Sequence, residues 1–397
     1  MSAAPSARPA SDARLSTPGL RLAAIDWLRG AVMLLMAIDH ASQTWNAGRL
    51  NVDSAYLLDP ASGLPLWTPG SALPADQFLT RWITHLCAPA FLFLSGTSLA
   101  MSLEKRARAG ADARELDRHL LIRGLVVLAG EAYLSALQGG VLLQVLYAIG
   151  ASLLAMIPLR RLSTQSLLIG SLAWLAGGEL VTRALLEPGA QVPLPLALLF
   201  APSLTPPVQV LYPLLGWLAM LALGWCFGRH LLGLPPDALG RSRAERLLQG
   251  CGGAGLAVFA LVRSLDGYGN MGLLRDGDSL AQWLHVSKYP PALAYSALDL
   301  GLVALCLAGC SALERRLRGA PWRWNPLLLF GQSAYFFYLV HFLVLGGSAL
   351  ALTGGLQQRG LPETYLAALG TAVALYPLCA AWRAFKQAHP RSFAQYI

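Results

Sequence analysis

The stretch Asp26-Trp-Leu-Arg29-Gly-Ala-Val-Met33-Leu-Leu-Met36-Ala-Ile-Asp39-His40 is apolar enough to lie in a bilayer. It nevertheless carries an arginine inside it and an Asp-His pair at its far end. On an α-helix, residues 11 apart are separated by three turns, about 20° of rotation and roughly 16 Å of rise. Arg29 and His40 therefore look out from one face, with Met33 and Met36 between them at helical spacing. A guanidinium in hydrocarbon is costly and points to a partner, a cavity or a pathway. The local alternative for Arg29 is an ion pair with Asp26, one turn earlier.

The rest of the chain agrees with a membrane setting. Its 397 residues are 55% hydrophobic and 13% charged, and the mean hydropathy is +0.50. A soluble chain would carry about 25% charged residues. The net charge of +9 would suggest nucleic acid in a soluble protein, but here the placement of the charges matters more than their sum. Six cysteines fall in or beside apolar segments, and none forms a CxxC. Neither a zinc site nor a disulfide framework is indicated, and no metal is expected. Residues 1–20 are rich in Ala, Ser, Pro and Arg and read as a disordered cytoplasmic tail.

Apolar runs of spanning length fall near 22–40, 82–101, 119–137, 141–158, 164–183, 208–228, 246–264, 289–310, 326–346 and 361–382. The fold class is thus all-α, a polytopic transmembrane bundle of about 10 helices (10–11). Residues 21–385 form one transmembrane domain and 386–397 a second cytoplasmic tail. With the N-terminus inside, 22 of the 30 basic residues fall in inner segments and 7 in outer ones, Arg29 lying within the first helix. That alternation places both termini in the cytoplasm. The 184–207 stretch leaves room for a short re-entrant or interfacial piece. Two outer loops, 41–81 and 265–287, are long and rich in aromatic and polar residues, as loops that cover a binding site often are.

Projected onto this topology, His40, His85, His285 and His341 gather at the outer level of the membrane, whereas His119, His230 and His389 lie on the inner side. A neutral imidazole is the commonest general base, so His40 is the leading catalytic candidate, with Asp39 as its support. His341 and His85 follow. Glu131 and Asp299 lie inside spans, Asp299 without a local partner, while Glu179 and Arg183 are spaced to pair with each other. In Phe91-Leu-Phe-Leu-Ser95-Gly96-Thr97-Ser98, small hydroxyl residues sit in an apolar wall, which close helix packing explains as well as substrate contact. Lys288-Tyr-Pro-Pro291 opens the eighth span. The basic cluster from Glu104 to Arg123 reads as a topology signal and a site of attraction to anionic lipid.

Several of these segments look familiar together. Ile25-Asp26-Trp-Leu-Arg29-Gly30, ending in Asp39-His40, resembles the opening of the catalytic domain of heparan-α-glucosaminide N-acetyltransferase and its bacterial relatives. Ser287-Lys288-Tyr289-Pro290-Pro291 is similar to a segment of those relatives. The Arg29–His40 spacing, Phe93-Leu-Ser95-Gly96 and Gly331-Gln-Ser333-Ala-Tyr335…Tyr338-Leu-Val-His341 resemble the wider acyltransferase type 3 superfamily.

The resemblance implies a multi-pass enzyme of a bacterial cytoplasmic (inner) membrane. It would move an acetyl or other acyl group from cytoplasmic acetyl-CoA to a hydroxyl or amine of a sugar or glycan on the other side. It implies catalytic roles for His40, Asp39, His341 and Lys288, and donor contacts at Arg29, Met33, Met36, Ser95 and Tyr338. Lys288, His341, Tyr338 and Ser95 are candidates to stabilise an oxyanion. One departure stands out. In the animal heparan enzymes the position matching His40 is asparagine and the catalytic histidine lies farther on; the same distance onward here reaches Asn51. A multi-pass transporter for a small polar solute is the alternative of a different class, a catalytically silent membrane scaffold is a third, and homodimerisation stays open.

Overall fold

A computed structural model describes residues 22–317, 325–389 and 392–396, so the predicted tail at 1–20 lies outside the described residues. In chain order the helices are α1 (Ala24–Trp45), α2 (Ala75–Ile83), α3 (Cys87–Arg108), α4 (Ala113–Leu137), α5 (Val145–Leu159), α6 (Thr164–Leu185) and α7 (Leu194–Leu199). They continue with α8 (Leu214–Gly233), α9 (Ala238–Leu265), α10 (Leu280–Leu284), α11 (Leu293–Arg316), α12 (Pro326–Gln332), α13 (Ala334–Thr353) and α14 (Leu361–Ala388). Two three-residue strands, β1 (Val141–Leu143) and β2 (Val208–Val210), pair in parallel with Leu142 opposite Gln209.

This is an all-α polytopic membrane bundle. Among the described residues, seven helical runs are long and apolar enough to cross a membrane: those at α3 (joined to α2), α4, α8, α9, α11, α13 and α14. α5 is apolar but shorter, and α1 is interrupted by Asp26, Arg29 and Asp39. Leu366, Leu369 and Val373 stand exposed on α14, apolar surface of the kind that lipid covers.

Each predicted span has a long helix, and the differences have local causes. The span predicted at 82–101 is broken at Thr84–Leu86, between α2 and α3. Pro89 has no N–H to give to the carbonyl of residue 85, and the Tyr295 hydroxyl donates to that carbonyl instead at 3.0 Å. The span predicted at 326–346 is two helices that meet at Ser333. α7 occupies the stretch reserved for a short piece.

α1 is the pillar of the bundle and packs against α3, α11, α12, α13 and α14. Its approach to α12 depends on glycine. A Cβ at Gly30 would lie 1.9 Å from the Leu327 carbonyl oxygen, and one at Gly331 would lie 1.9 Å from that of Asp26. α3 meets α8 in the same way through Gly96 and Gly224. Thus along Ser95-Gly96-Thr97-Ser98 the glycine and threonine face α8, with Thr97 donating to the Gly224 carbonyl at 3.1 Å. Ser95 and Ser98 face the other way, into a cavity.

Candidate active site

The site is built along α1. Near the start of this helix, Arg29 pairs with Asp26 at 2.7 Å, donates to Ser98 Oγ at 2.6 Å and to the Gly331 carbonyl at 3.3 Å. The local ion pair and the site contact therefore coexist. Arg29 also lines a cavity of about 230 Å3, together with Ser95, Ser98, Arg123, Tyr338 and Lys386. Among the described residues no carboxylate lines this cavity, and its lining cations are Arg29, Arg123 and Lys386. Tyr396, from a short 3₁₀ turn at Phe393–Tyr396, sits at its edge.

Three turns on, His40 lines a second cavity of about 280 Å3 with Met36, Asp39, Asn51, Lys288 and Tyr338. Val145 and Tyr338 border both cavities. The guanidinium and the imidazole thus line two neighbouring chambers that have Val145 and Tyr338 in common. Met36 lines the second chamber; Met33 is fully buried in the core and lines neither. Donor contact at Met33 therefore has no surface to act through.

His40 is aligned by a partner from a distant part of the chain. Its Nδ1 lies 2.5 Å from His341 Nε2, and His341 Nδ1 lies 3.1 Å from the Phe337 carbonyl on the turn below. A carbonyl only accepts, so His341 Nδ1 carries the hydrogen. With both rings neutral, His341 Nε2 then accepts from His40 Nδ1–H, and the lone pair of His40 sits on Nε2. The rings of Phe342 and Tyr338 hold the imidazole from the sides, with centroids at 4.2 and 5.8 Å. His341 itself is fully buried and does not line the chamber, so it stands behind His40 and not opposite a substrate carbonyl.

The Asp39 carboxylate is turned to other partners and not to the His40 ring. It is taken by Arg49 at 2.9 Å, Arg81 at 2.8 Å and the Thr84 hydroxyl at 3.2 Å. The reason is helical geometry: neighbours on a helix point about 100° apart, and the Asp39 direction is occupied by arginines from the segment leading to α3. Arg81 also clasps Asp53 at 2.6 Å, and His85 stands 3.4 Å from the same carboxylate. Burial pushes the Asp53 carboxyl up, but Arg81 and His85 more than reverse this and hold it far below the ordinary carboxylate range.

Lys288 is the exception in this network. It is buried, lines the chamber and lies over the Tyr289 ring at 5.3 Å. Among the described residues its ammonium has neither an ion pair nor a hydrogen bond. Two carboxylates face three cations here, and the surplus positive charge sits on the unbound group.

The two long loops interlock over this chamber. Lys288 N–H donates to the Asp53 carbonyl at 2.9 Å, His285 Nε2 donates to that of Val52 at 2.9 Å, and Ser54 donates to the Tyr289 carbonyl. Glu179, spaced to pair with Arg183 and found 3.4 Å from it, accepts from the backbone of Gly269 and Met271 at 2.8 and 3.0 Å. Arg263, fully buried, holds the same loop through Asn270 and the Gln282 carbonyl. Elsewhere, Glu131 accepts from Tyr147 N–H at 2.6 Å in the first turn of α5. Asp299 keeps one buried oxygen without a partner. Among the described residues no cluster of three or more His, Cys, Asp or Glu side chains could hold a metal.

Arg49 and Arg81 were readable only as basic residues in segments otherwise short of them. That scarcity was the usable signal: Arg49, Arg81 and Lys288, three of the seven basic residues assigned to outer segments, all line the histidine chamber. Asn51, where the animal enzymes' histidine would fall, lines it as well.

Residues 70–261 match the family model described as heparan-alpha-glucosaminide N-acetyltransferase, catalytic, so that stretch is similar to that catalytic domain. The match takes in Arg81, Ser95 and Arg123; Arg29, His40, Lys288 and His341 lie outside it. No curated protein matches the chain.

Proposed function

We propose, with its relation to the heparan-α-glucosaminide N-acetyltransferase family as premise, that this membrane protein is an acetyltransferase. It takes acetyl from cytoplasmic acetyl-CoA and delivers it to a hydroxyl or amine of a saccharide on the far side of a bacterial inner membrane. The observation that carries the reading is the pair of neighbouring chambers that share Val145 and Tyr338 in their walls, with cations lining one and an oriented imidazole lining the other. The donor's phosphates would sit among Arg29, Arg123 and Lys386, since guanidinium and ammonium groups bind phosphate through charge-assisted hydrogen bonds. The pantetheine arm would pass Ser95 and Tyr338, and the thioester would reach the histidine chamber.

There His40 Nε2 takes the proton of the acceptor hydroxyl or amine as that atom attacks the thioester carbonyl carbon. The carbonyl oxygen becomes an oxyanion within reach of the Lys288 ammonium, a donor with no competing partner. The C–S bond then breaks, the electron pair leaves on sulfur, and the proton held by His40 is returned to the thiolate. Atoms and charge balance without a further reactant. His341 acts through His40 by fixing its tautomer.

The test uses the purified full chain in detergent with labelled acetyl-CoA. The wild type should bind it and transfer label to a saccharide, and His40→Ala should bind it without transfer. If His40→Ala and Arg29→Ala both keep wild-type turnover, this mechanism is wrong. If acetyl-CoA does not bind and a small solute crosses the membrane instead, the transporter reading replaces it.

A further inference from the structure

One stretch of the 50s loop borders two cavities. Leu57 lines the histidine chamber, while its neighbours Tyr56 and Leu58 line a groove; Leu204 borders both. The groove has a compartment of about 90 Å3 against Tyr56 and Asp59 and one of about 390 Å3 running toward Pro193 and Val208. Gln191, Ser203, Thr205 and Pro206 line both compartments. The 50s loop, the α6–α7 segment and the approach to β2 build it together. It lies outside the donor path and the proposed reaction does not use it.

Two observations give it a ligand chemistry. The Tyr56 side chain is 1% exposed, and its hydroxyl has no hydrogen-bond partner. A buried hydroxyl left unpaired costs stability, about 1–3 kcal/mol, so its place in the groove wall points to a polar group that arrives from outside. Burial pushes its phenol up to about 12, which keeps it a neutral donor at physiological pH. The charge of the lining is the second observation. Asp59 is its one carboxylate, and among the described residues no lysine, arginine or histidine lines either compartment. Asp59 is itself committed to a turn, accepting from Ala61 N–H and Ser62 N–H at 3.1 and 2.8 Å. Amide and hydroxyl groups set among proline rings suit sugar hydroxyls and sugar C–H faces. They bring no cation to sulfate or carboxylate.

We propose that this groove is an extended acceptor subsite, binding the next units of an uncharged or amino-sugar oligosaccharide whose terminal unit reaches His40 past Leu204. This rests on the acetyltransferase reading and narrows its acceptor: a polysulfated chain is disfavoured and an unsulfated oligosaccharide is preferred. Leu204 is the element that parts the terminal unit from the rest.

The experiment compares acetyl transfer by the full-length protein to monosaccharides, to the matching trisaccharides of glucosamine and N-acetylglucosamine, and to a sulfated heparan trisaccharide. The unsulfated trisaccharides should be used with kcat/KM about tenfold above their monosaccharides, the scale of one or two added hydrogen bonds. Tyr56→Phe and Thr205→Trp should each remove most of that advantage through KM and leave monosaccharide transfer unchanged. Equal use of monomer and trimer, a preference for the sulfated chain, or wild-type trimer kinetics in both variants would overturn the groove alone. If no saccharide of any length accepts acetyl, the groove and the saccharide part of the function fall together.

Discussion

The chamber at the arginine end and the chamber at the histidine end hold their charges in opposite ways. In the first, Arg29 keeps one carboxylate partner in Asp26, and among the described residues Arg123 lines the cavity without a carboxylate beside it in the lining. In the second, each carboxylate is pinned: Asp39 between Arg49 and Arg81, Asp53 between Arg81 and His85. A surface that must release its guest is served by unmatched charge, which attracts at range and lets go. A surface that must hold a reacting geometry is served by paired charge, which fixes side chains before the guest arrives. On this reading the arginine end governs affinity for the donor and the histidine end governs turnover.

Substitutions can break that division. The largest effect is expected of His40→Ala, which removes the proton acceptor. kcat should fall by about 10³-fold, within the range for general-base loss, while equilibrium binding of acetyl-CoA stays within twofold of wild type, or about 0.4 kcal/mol. Lys288→Met keeps the stem and deletes the unpartnered ammonium. A loss of about 10²-fold in kcat, with KM for the donor little changed, is the expected result of removing one oxyanion donor.

Arg29→Gln should show the reverse pattern, with donor KM raised about tenfold and kcat largely kept, as when uniform binding is lost. Steady-state kinetics in both substrates separates the cases, and a kcat effect at Arg29 as large as that at His40 would end the division of labour.

The smallest effect concerns pH. Burial lowers the His285 imidazole below its ordinary value, so the unfolded chain takes up that proton first. The stability it contributes is present in full above about pH 6.5, the unfolded value, and declines as the pH falls below it. The loops over the histidine chamber should therefore loosen in mild acid. Between pH 7 and 5.5 the melting temperature should drop by about 2–4 °C from this group, and His285→Gln should flatten that drop. The clasp on Asp53, held low by Arg81, responds only in stronger acid.

Much of this architecture was legible in the chain. Apolar runs located the long helices because a spanning segment has to be continuous, whereas the breaks at Thr84–Leu86 and Ser333 lie inside apolar runs and were not read from them. The Arg29–His40 stripe was legible because helical rise and rotation follow from residue number alone. Partners across the fold were not. Asp39 is adjacent to His40 in sequence, yet it serves arginines 10 and 42 residues away, and His341 reaches His40 from 301 residues away. Periodicity says which way a side chain points and nothing about what another helix places there. Met33 shows the same limit from the other side: the right spacing put it on the stripe, and packing buried it.

The shared border at Val145 and Tyr338 has a consequence outside the chemistry. A passage through a membrane protein is also a route for ions, and an enzyme with water-accessible chambers at both ends would short-circuit the gradient its host maintains. A branched alkyl group and an aromatic ring on the shared border of the two chambers are poor company for a hydrated cation, which would have to shed its water to pass. The same two side chains that would let a slender thioester arm reach across would then keep the bilayer electrically tight between turnovers.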